Sequence, residues 1–305
     1  MKRLTLLLLV AMSFAVATAP NVATAATKKA VPLKKHKHAK KRAAPRAMNE
    51  SAGPALQSAA AVVLDQTTGA VLFEKNSGAI LPIASITKLM TAMVALDAQP
   101  GLQETLTVSE EDVDSLKGTH SRLRVGAALA REDMLRLALM ASENRAASAL
   151  SRHYAGGREA FVAAMNHKAE ELGLHDTHFE DPTGLTAHNV SSARDLVKMV
   201  AAAHEYPLIR EFTTTSEYKV ALSGKPQTFR NTNVLVRSST WDIGLSKTGF
   251  INEAGKCLVM QAWLNKKPTI IVLLDSLGKL TRIGDAQRIK RWVENSAVPQ
   301  RLAAG

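Results

Sequence analysis

Ser85-Ile86-Thr87-Lys88-Leu89-Met90-Thr91-Ala92-Met93-Val94 decides how this chain is read. A hydroxyl and an amine stand three positions apart at the start of an apolar run. On a helix, residues i and i+3 share a face, so the Lys88 amine can reach the Ser85 hydroxyl. A serine hydroxyl is a weak nucleophile until a base removes its proton. Lysine is that base only if its pKa falls, which desolvation and a second nearby cation both bring about. The apolar wall of Leu89, Met90, Ala92, Met93 and Val94 predicts the desolvation. Taken alone, the same string reads equally well as an exposed helix cap beside a surface lysine.

Two further strings follow, and their order and separation carry the signal. Ser142-Glu143-Asn144 comes after Leu137-Ala138-Leu139-Met140, at a junction between helices. Ser142 there is a helix cap, or a proton relay between Lys88 or Lys247 and a leaving amine, with the Asn144 amide gripping a substrate backbone. Lys247-Thr248-Gly249 follows Trp241-Asp242-Ile243-Gly244-Leu245 and ends a short predicted strand. A strand edge pairs with an extended peptide, and a glycine lets that backbone approach. Lys247 is then the second cation near Lys88, and Lys247 with Thr248 can hold a substrate carboxylate. The amides of Ser85 and Phe250 can form an oxyanion hole, worth about 3 kcal/mol of barrier per donor.

Upstream, Ala61–Asp65 and Ala70–Glu74 flank a Gln-Thr-Thr-Gly turn and predict a β-hairpin, with Gly69 supplying the turn conformation. From Ser85 the apolar period becomes helical, with segments at Ser85–Asp97, Ala127–Met140, Asn144–Tyr154, Arg158–Leu172 and Ser191–His204. Strands return at Ser216–Leu222 and Gln227–Asn231, a second hairpin, then at Gly244–Thr248, Cys257–Leu264 and Thr269–Asp275, before a closing helix at Thr281–Asn295. Strands at both ends with helices between predict one antiparallel sheet built from both ends of the chain, with a helical lobe inserted.

Three stretches are expected: a leader (1–25), a basic linker (26–49) and a catalytic domain (50–300). The leader shows Lys2 and Arg3, the apolar run Leu4–Val16 and the small-residue site Ala23-Thr24-Ala25, the pattern of a cleaved secretory signal. That run is too short for a comfortable membrane span, so the mature protein is expected in the periplasm, soluble or peripherally associated. The linker is nearly all Lys, Arg, His, Ala and Pro and cannot bury a core. Eleven of the 39 Lys and Arg precede Glu50, which leaves 28 against 27 acids in the remainder. The high pI therefore belongs to the leader and arm, and no nucleic-acid groove is expected. The arm is a solvated tether or an electrostatic contact to anionic wall polymer or membrane lipid. Cys257, the single cysteine, lies in an apolar run and reads as a buried structural residue.

With these motifs in order, the chain resembles the low-molecular-mass penicillin-binding proteins of the serine D-alanyl-D-alanine peptidase family, most closely the D-alanyl-D-alanine endopeptidase branch. The likeness runs from about Ala60 to Val293. It includes Leu116-Lys117-Gly118-Thr119, Asp181-Pro182-Thr183-Gly184-Leu185, Asn231-Thr232-Asn233 and Ser246-Lys247-Thr248-Gly249-Phe250. The resemblance implies an α+β fold of the β-lactamase and penicillin-binding-protein type. It implies Ser85 as acylated nucleophile, Lys88 as base, Ser142 and Asn144 as relay and clamp, and Lys247 as the carboxylate-binding cation. Arg282 falls where relatives carry a carboxylate-binding arginine, although a solvated arginine at a helix start explains it equally well. The implied partners are peptidoglycan stem peptides and cross-links, with β-lactams as covalent inhibitors and no metal or cofactor.

Relatives that are carboxypeptidases continue into a C-terminal β-domain and an amphipathic membrane helix; this chain stops soon after its closing helix, so that anchor is not expected. Class A β-lactamases place a deacylating water with a Glu and an Asn four residues on. Here Glu180 is followed at that distance by Gly184, which argues against a β-lactamase. The remaining alternatives are a D,D-carboxypeptidase and an inactive wall-binding scaffold, the latter opposed by the intact motifs.

Overall fold

A computed structural model describes residues 53–99, 101–222 and 224–296. The leader and the basic arm lie outside the described residues. In chain order come β1 (Ala60–Asp65), β2 (Val71–Lys75), β3 (Leu81–Pro82), a 3-10 turn (Ala84–Thr87) and α1 (Lys88–Asp97). Then follow β4 (Thr105–Thr107), β5 (Ala128–Ala130), α2 (Arg131–Met140), α3 (Asn144–Arg152), α4 (Gly157–Glu171) and β6 (Val190–Ser191). The last part holds α5 (Ala193–His204), α6 (Pro207–Thr214), β7 (Glu217–Leu222), β8 (Lys225–Arg230), β9 (Ile243–Ile251), β10 (Gly255–Leu264), β11 (Lys267–Ser276) and α7 (Thr281–Ser296).

The main sheet has five strands in the order β2-β1-β11-β10-β9, every pair antiparallel. Strand β1 lies against β11 with Val62 opposite Val272, so both ends of the chain build one sheet, as the pattern of elements predicts. The central strands read as continuous apolar runs because both faces are covered. Val62, Cys257, Val259, Ile270 and Val272 face the helical lobe, while Ala61, Val63, Leu258, Met260, Ile271 and Leu273 pack with Ala286 and Ile289 of α7. Cys257 is buried among them and unpaired, and burial pushes its thiol up to about 11.

Four local expectations are corrected. The predicted helix at Ala127–Met140 begins only at Arg131, because Ala128–Ala130 pairs with Thr105–Thr107 as β5 on β4; tertiary pairing overrides alanine's helix preference. The strand carrying Lys247 runs on to Ile251, so Lys247-Thr248-Gly249 lies within it and not at its end. The second hairpin forms its own two-stranded sheet. Helix α6 was not anticipated, although Pro207 at its first position is a start signal.

Asp285 of α7 ties the chain ahead of β1 to the far face of the sheet. Its buried carboxylate accepts hydrogen bonds from the Gln57 amide at 3.1 Å, the Ser58 amide at 2.7 Å and the Ser58 hydroxyl at 2.6 Å, and Arg288 pairs with it. Asp285→Ala leaves these donors buried without a partner. It is expected to lower the unfolding free energy by about 3 kcal/mol in urea titrations; a loss under about 1 kcal/mol would show that water replaces the carboxylate.

Candidate active site

The turn that carries Ser85 is held between two main chains. On one side is Gly184, with φ of +81°, where an added Cβ would lie 2.0 Å from the Ala84 carbonyl oxygen. On the other is Gly249 of β9, where a Cβ would lie 2.7 Å from the Ile83 carbonyl oxygen and 3.3 Å from the Ser85 amide nitrogen. Only glycine permits either approach. Ala84 itself sits at φ +49°, a conformation that costs a non-glycine residue energy and that surrounding contacts must enforce.

Ser85 and Lys88 fall as the spacing predicts. The Lys88 amine is fully buried, lies 2.8 Å from Ser85 Oγ, and donates to Asn144 Oδ1 at 2.8 Å and to the Thr183 carbonyl at 2.6 Å. Two of these partners are carbonyl oxygens with no hydrogen to give. A neutral amine, with two hydrogens and one lone pair, satisfies both carbonyls and turns its lone pair to the one partner that owns a proton, the Ser85 hydroxyl. Burial pulls the Lys88 pKa down to about 7, against the pull of the Asp181 and Glu143 carboxylates. Desolvation by the apolar surroundings is as expected from the sequence; the two opposing carboxylates are not.

The other lysine makes a second amine–hydroxyl pair. Lys247 Nζ is buried and donates to Ser142 Oγ at 2.9 Å and to the Thr248 carbonyl at 3.1 Å. Its pKa falls well below the ordinary range, through burial first and then repulsion from Lys88 and Arg282. The close-lysine effect expected at Lys88 is thus felt at Lys247. Ser142 contacts Lys247, one of the two partners left open by the sequence. It joins α2 to α3 at φ +59°, again a left-handed non-glycine position, and caps no helix, since the residue at the head of α3 is Glu143.

Asn144 is oriented through a chain of donors. Its Nδ2 donates to Thr119 Oγ1 at 2.9 Å, whose own hydrogen goes to Asp114 Oδ2 at 2.7 Å, leaving Oδ1 for Lys88. Thr248 Oγ1 donates to Thr232 Oγ1 at 2.7 Å, which sets hydroxyls beside Lys247 along β9, the edge strand of the sheet. Phe250 continues that edge with its ring exposed under the Lys256 amine, 3.7 Å from the centroid. Arg282 is neither solvated nor free: it is half-buried and its guanidinium donates to the Gly249 and Cys257 carbonyls at 2.9 and 3.2 Å, bracing β9 against β10. A cavity of about 110 Å³ opens beside Asn144, lined by Asp112, Ser148, Asp181, Thr183 and Leu185 among others. Among the described residues, no three His, Cys, Asp or Glu side chains gather as metal ligands would.

The chain that holds this serine hydroxyl on a buried amine, a second amine–hydroxyl pair and an open strand edge has known relatives. The profile of the D-alanyl-D-alanine carboxypeptidase family matches residues 46–278. Over 245 residues the chain is 48% identical to the D-alanyl-D-alanine endopeptidase of Pseudomonas aeruginosa, covering 80% of this chain and 79% of that one. It is 47% identical over 247 residues to the D-alanyl-D-alanine endopeptidase of Escherichia coli, covering 80% of each. Among solved structures, the Streptomyces K15 DD-transpeptidase superposes with a TM-score of 0.74 at 28% identity, covering 79% of this chain and 98% of that one. The chain belongs to the D-alanyl-D-alanine carboxypeptidase family of serine peptidases.

Several supporting residues escaped the sequence reading. Asp181 accepts from the amides of Thr183, Gly184 and Thr186 and from the Thr183 hydroxyl, at 2.5 to 3.0 Å, and so shapes the loop that brings the Thr183 carbonyl to Lys88 and Gly184 to Ala84. Asn189, wholly buried, accepts from the Glu180 and Asp181 amides and donates to the Asp181 carbonyl and Thr87 Oγ1, pegging this loop to the catalytic turn. The signal for Asp181 was the string Asp181-Pro182-Thr183-Gly184-Leu185, whose neighbour was not legible; Asn189 lies outside it. The Asp181 charge favours the ammonium form of Lys88. Asp181→Asn therefore is expected to move the pH midpoint of acylation by a reporter penicillin below the wild-type value, while loosening of the loop lowers the plateau rate about tenfold. A midpoint that stays or rises would show that this charge is not felt at Lys88.

Proposed function

We propose that this chain is an exported serine D,D-endopeptidase that hydrolyses the bond between D-Ala and a diamino acid in peptidoglycan cross-links. The observation that carries the reading is the buried Lys88 amine, 2.8 Å from Ser85 Oγ and tuned to about 7. Ser85 Oγ attacks the D-Ala carbonyl as its proton passes to neutral Lys88, and the amides of Ser85 and Phe250 receive the oxyanion. Ser142 passes its hydrogen to the leaving amine and recovers one from Lys247, which donates to it. The C–N bond breaks, acyl-Ser85 remains, and water then releases the stem peptide. In that water step Lys88 returns its proton to Ser85 Oγ, and the proton of the attacking water passes through Ser142 back to Lys247. Asn144 grips the acyl-side backbone. Lys247, Thr248 and Thr232 receive the carboxylate beside the leaving nitrogen, whose charge offsets the repulsion that depresses Lys247. Arg282 supports this carboxylate site through the Gly249 carbonyl of β9.

A direct cross-link joins D-Ala to the D-centre of a diamino acid, which keeps its free carboxylate, so the scissile bond resembles D-Ala-D-Ala with a bulkier leaving side. The identities to two endopeptidases favour cross-links as substrate; the family's description as carboxypeptidases keeps trimming of uncross-linked stems as the second reading. Chromatography of purified muropeptides before and after incubation separates them: loss of dimers supports the first, loss of terminal D-Ala from monomers the second. Residues 1–25 as signal and 26–49 as a tether to anionic wall or lipid belong to the same proposal. Among the described residues no helix is long and apolar enough to cross a membrane.

A β-lactam ring carbonyl mimics the scissile amide, so a reporter penicillin is expected to label the peptide containing Ser85, as mass spectrometry would show, and Ser85→Ala to abolish the label with the fold retained. Label kept on that variant would remove Ser85 as nucleophile. Because Lys88 acts as the neutral amine, acylation is expected to rise with pH through about 7 and level off above it. Lys88→Arg cannot lose its proton in this range, and its rate is expected to fall by several orders of magnitude; a rate within about tenfold of wild type would point to another base.

The arm offers a separate check. Deleting residues 28–46 is expected to weaken low-salt binding to purified sacculi, by removing charge that salt screens over roughly 8 Å at physiological strength, while cleavage of a small soluble cross-linked peptide is unchanged. Equal loss in both assays would place the arm in the catalytic fold.

A further inference from the structure

The string Leu116-Lys117-Gly118-Thr119 supplies no group to the reaction, yet it ends one hydrogen bond from Asn144. A primary amide has nearly the same shape in either direction, so packing alone does not choose which end of Asn144 faces Lys88. Hydrogen direction makes the choice, and it starts at Asp114. The Oδ1 of Asp114 accepts the Leu116 and Lys117 amides at 2.8 and 3.0 Å, and its Oδ2 accepts the Thr119 amide at 2.8 Å and the Thr119 hydroxyl at 2.7 Å. Burial draws the Asp114 pKa up, but hydrogen bonds from the Thr119 hydroxyl and from these amides outweigh it and hold the carboxyl below its ordinary range. An ionised carboxylate has no hydrogen to give. The single hydrogen of the Thr119 hydroxyl is therefore committed to Asp114, and its oxygen can only accept from Asn144. The Asn144 atom that faces it at 2.9 Å must be Nδ2, which leaves Oδ1 for Lys88. Nδ2 keeps a second hydrogen for the acyl-side carbonyl of a bound peptide.

Resting on the reading of the site as a D,D-peptidase, we propose that Asp114 and Thr119 are positioning residues that set the polarity of Asn144 and, through it, the direction of the Lys88 lone pair. Reversing the Asn144 amide undoes both sides of the site. Its N–H then points at the Lys88 nitrogen, which disfavours the ammonium form and occupies the lone pair that otherwise takes the Ser85 proton. Its oxygen then meets the acyl-side carbonyl, acceptor against acceptor. The seat of the loop does not hang on this chain. Ser121 Oγ donates to Glu143 Oε2 at 2.6 Å and Arg145 to the Leu123 carbonyl at 2.9 Å, both tying the loop to the head of α3. The charges acting on Lys88 are the Asp181 and Glu143 carboxylates, and its neighbour of like sign is Lys247. Asp114 reaches Lys88 through three hydrogen bonds in series rather than as a charge.

The test follows the pH dependence of acylation by a reporter penicillin in the full chain. The wild type comes first: no labelling, or a rate that does not rise with pH through about 7, overturns the peptidase reading before polarity is tested. Asp114→Asn gives position 114 hydrogens to donate. With its oxygen kept on the Leu116 and Lys117 amides, the new amide donates to Thr119 Oγ1, which then donates to Asn144 and reverses it. Thr119→Val cuts the chain with no change of charge, and Thr119→Ser keeps the hydroxyl. The midpoint is expected to fall by about one pH unit in Asp114→Asn, with a plateau about tenfold lower, the scale of one hydrogen bond to a charged group. In Thr119→Val it is expected to fall by about half a unit, since the amide is left without a fixed direction, and in Thr119→Ser to hold. A midpoint does not depend on the fraction of folded enzyme, so lost stability does not imitate the shift, and Thr119→Val decides the matter if Asp114→Asn fails to fold. An unmoved or raised midpoint in either Asp114→Asn or Thr119→Val overturns the proposal, a lower plateau alone marking a structural role. A shift confined to Asp114→Asn overturns it as a direct charge effect, and one shared by Thr119→Ser overturns it because the hydroxyl is still present.

Discussion

The amine of Lys88 is the constraint on which the rest of this structure depends. A lysine nitrogen with no exposure is costly to keep charged and useless as a base unless its lone pair has one destination. Both problems have the same solution here. The carbonyls of Asn144 and Thr183 absorb the two hydrogens of the neutral amine, and the Ser85 hydroxyl is what remains. The direction of Asn144 is in turn dictated by Thr119 and Asp114, a chain of donors that ends on a carboxylate able only to accept. Two carboxylates nearby hold the pKa from falling further, which leaves the amine able to take up a proton near neutral pH.

Placing Ser85 beside that amine requires three segments distant in sequence to meet at main-chain distance. Gly184 and Gly249 close on the same turn from opposite sides, and each admits no side chain. The left-handed residues Ala84 and Ser142 belong to the two serine-bearing junctions of the cleft. Strain at such positions persists only where neighbours over-determine them, and Asn189, Asp181 and the paired edge of β9 supply that determination. The geometry of catalysis is therefore a property of loops fastened to a doubly covered sheet, with α7 and its Asp285 anchor securing the far face.

What was legible in the sequence followed from period and spacing. The hairpin of β1 and β2, the apolar strands β10 and β11 and the amphipathic α5 announce themselves locally, and the three motifs locate both lysine–serine pairs. Other features needed the third dimension. Ala128–Ala130 reads as helix until its partner Thr105–Thr107 is known. The extension of β9 to Ile251 depends on β10 continuing beside it. Asp181 and Asn189 are ordinary turn residues by sequence, and their part in the site comes only from which turn they face. Arg282 is the sharpest case: a helix-start arginine suggests solvent, yet two carbonyls from neighbouring strands capture it.

The two amine–hydroxyl pairs are not equivalent, and the difference gives the cleft its direction. Lys88 has a destination for every hydrogen and a lone pair for Ser85; Lys247 sits among hydroxyls along an open strand edge, its pKa depressed by burial first and then by Lys88 and Arg282. An anionic group therefore gains most at the Lys247 end, where it relieves an existing repulsion as well as forming new bonds. In the proposed function, a substrate that carries a carboxylate next to its leaving nitrogen would be oriented by that relief, with its carbonyl between Ser85 and the Gly249–Phe250 main chain. Electrostatics at one end of the strand and main-chain pairing along it would then specify one direction of binding, and with it which group becomes the ester and which the leaving amine.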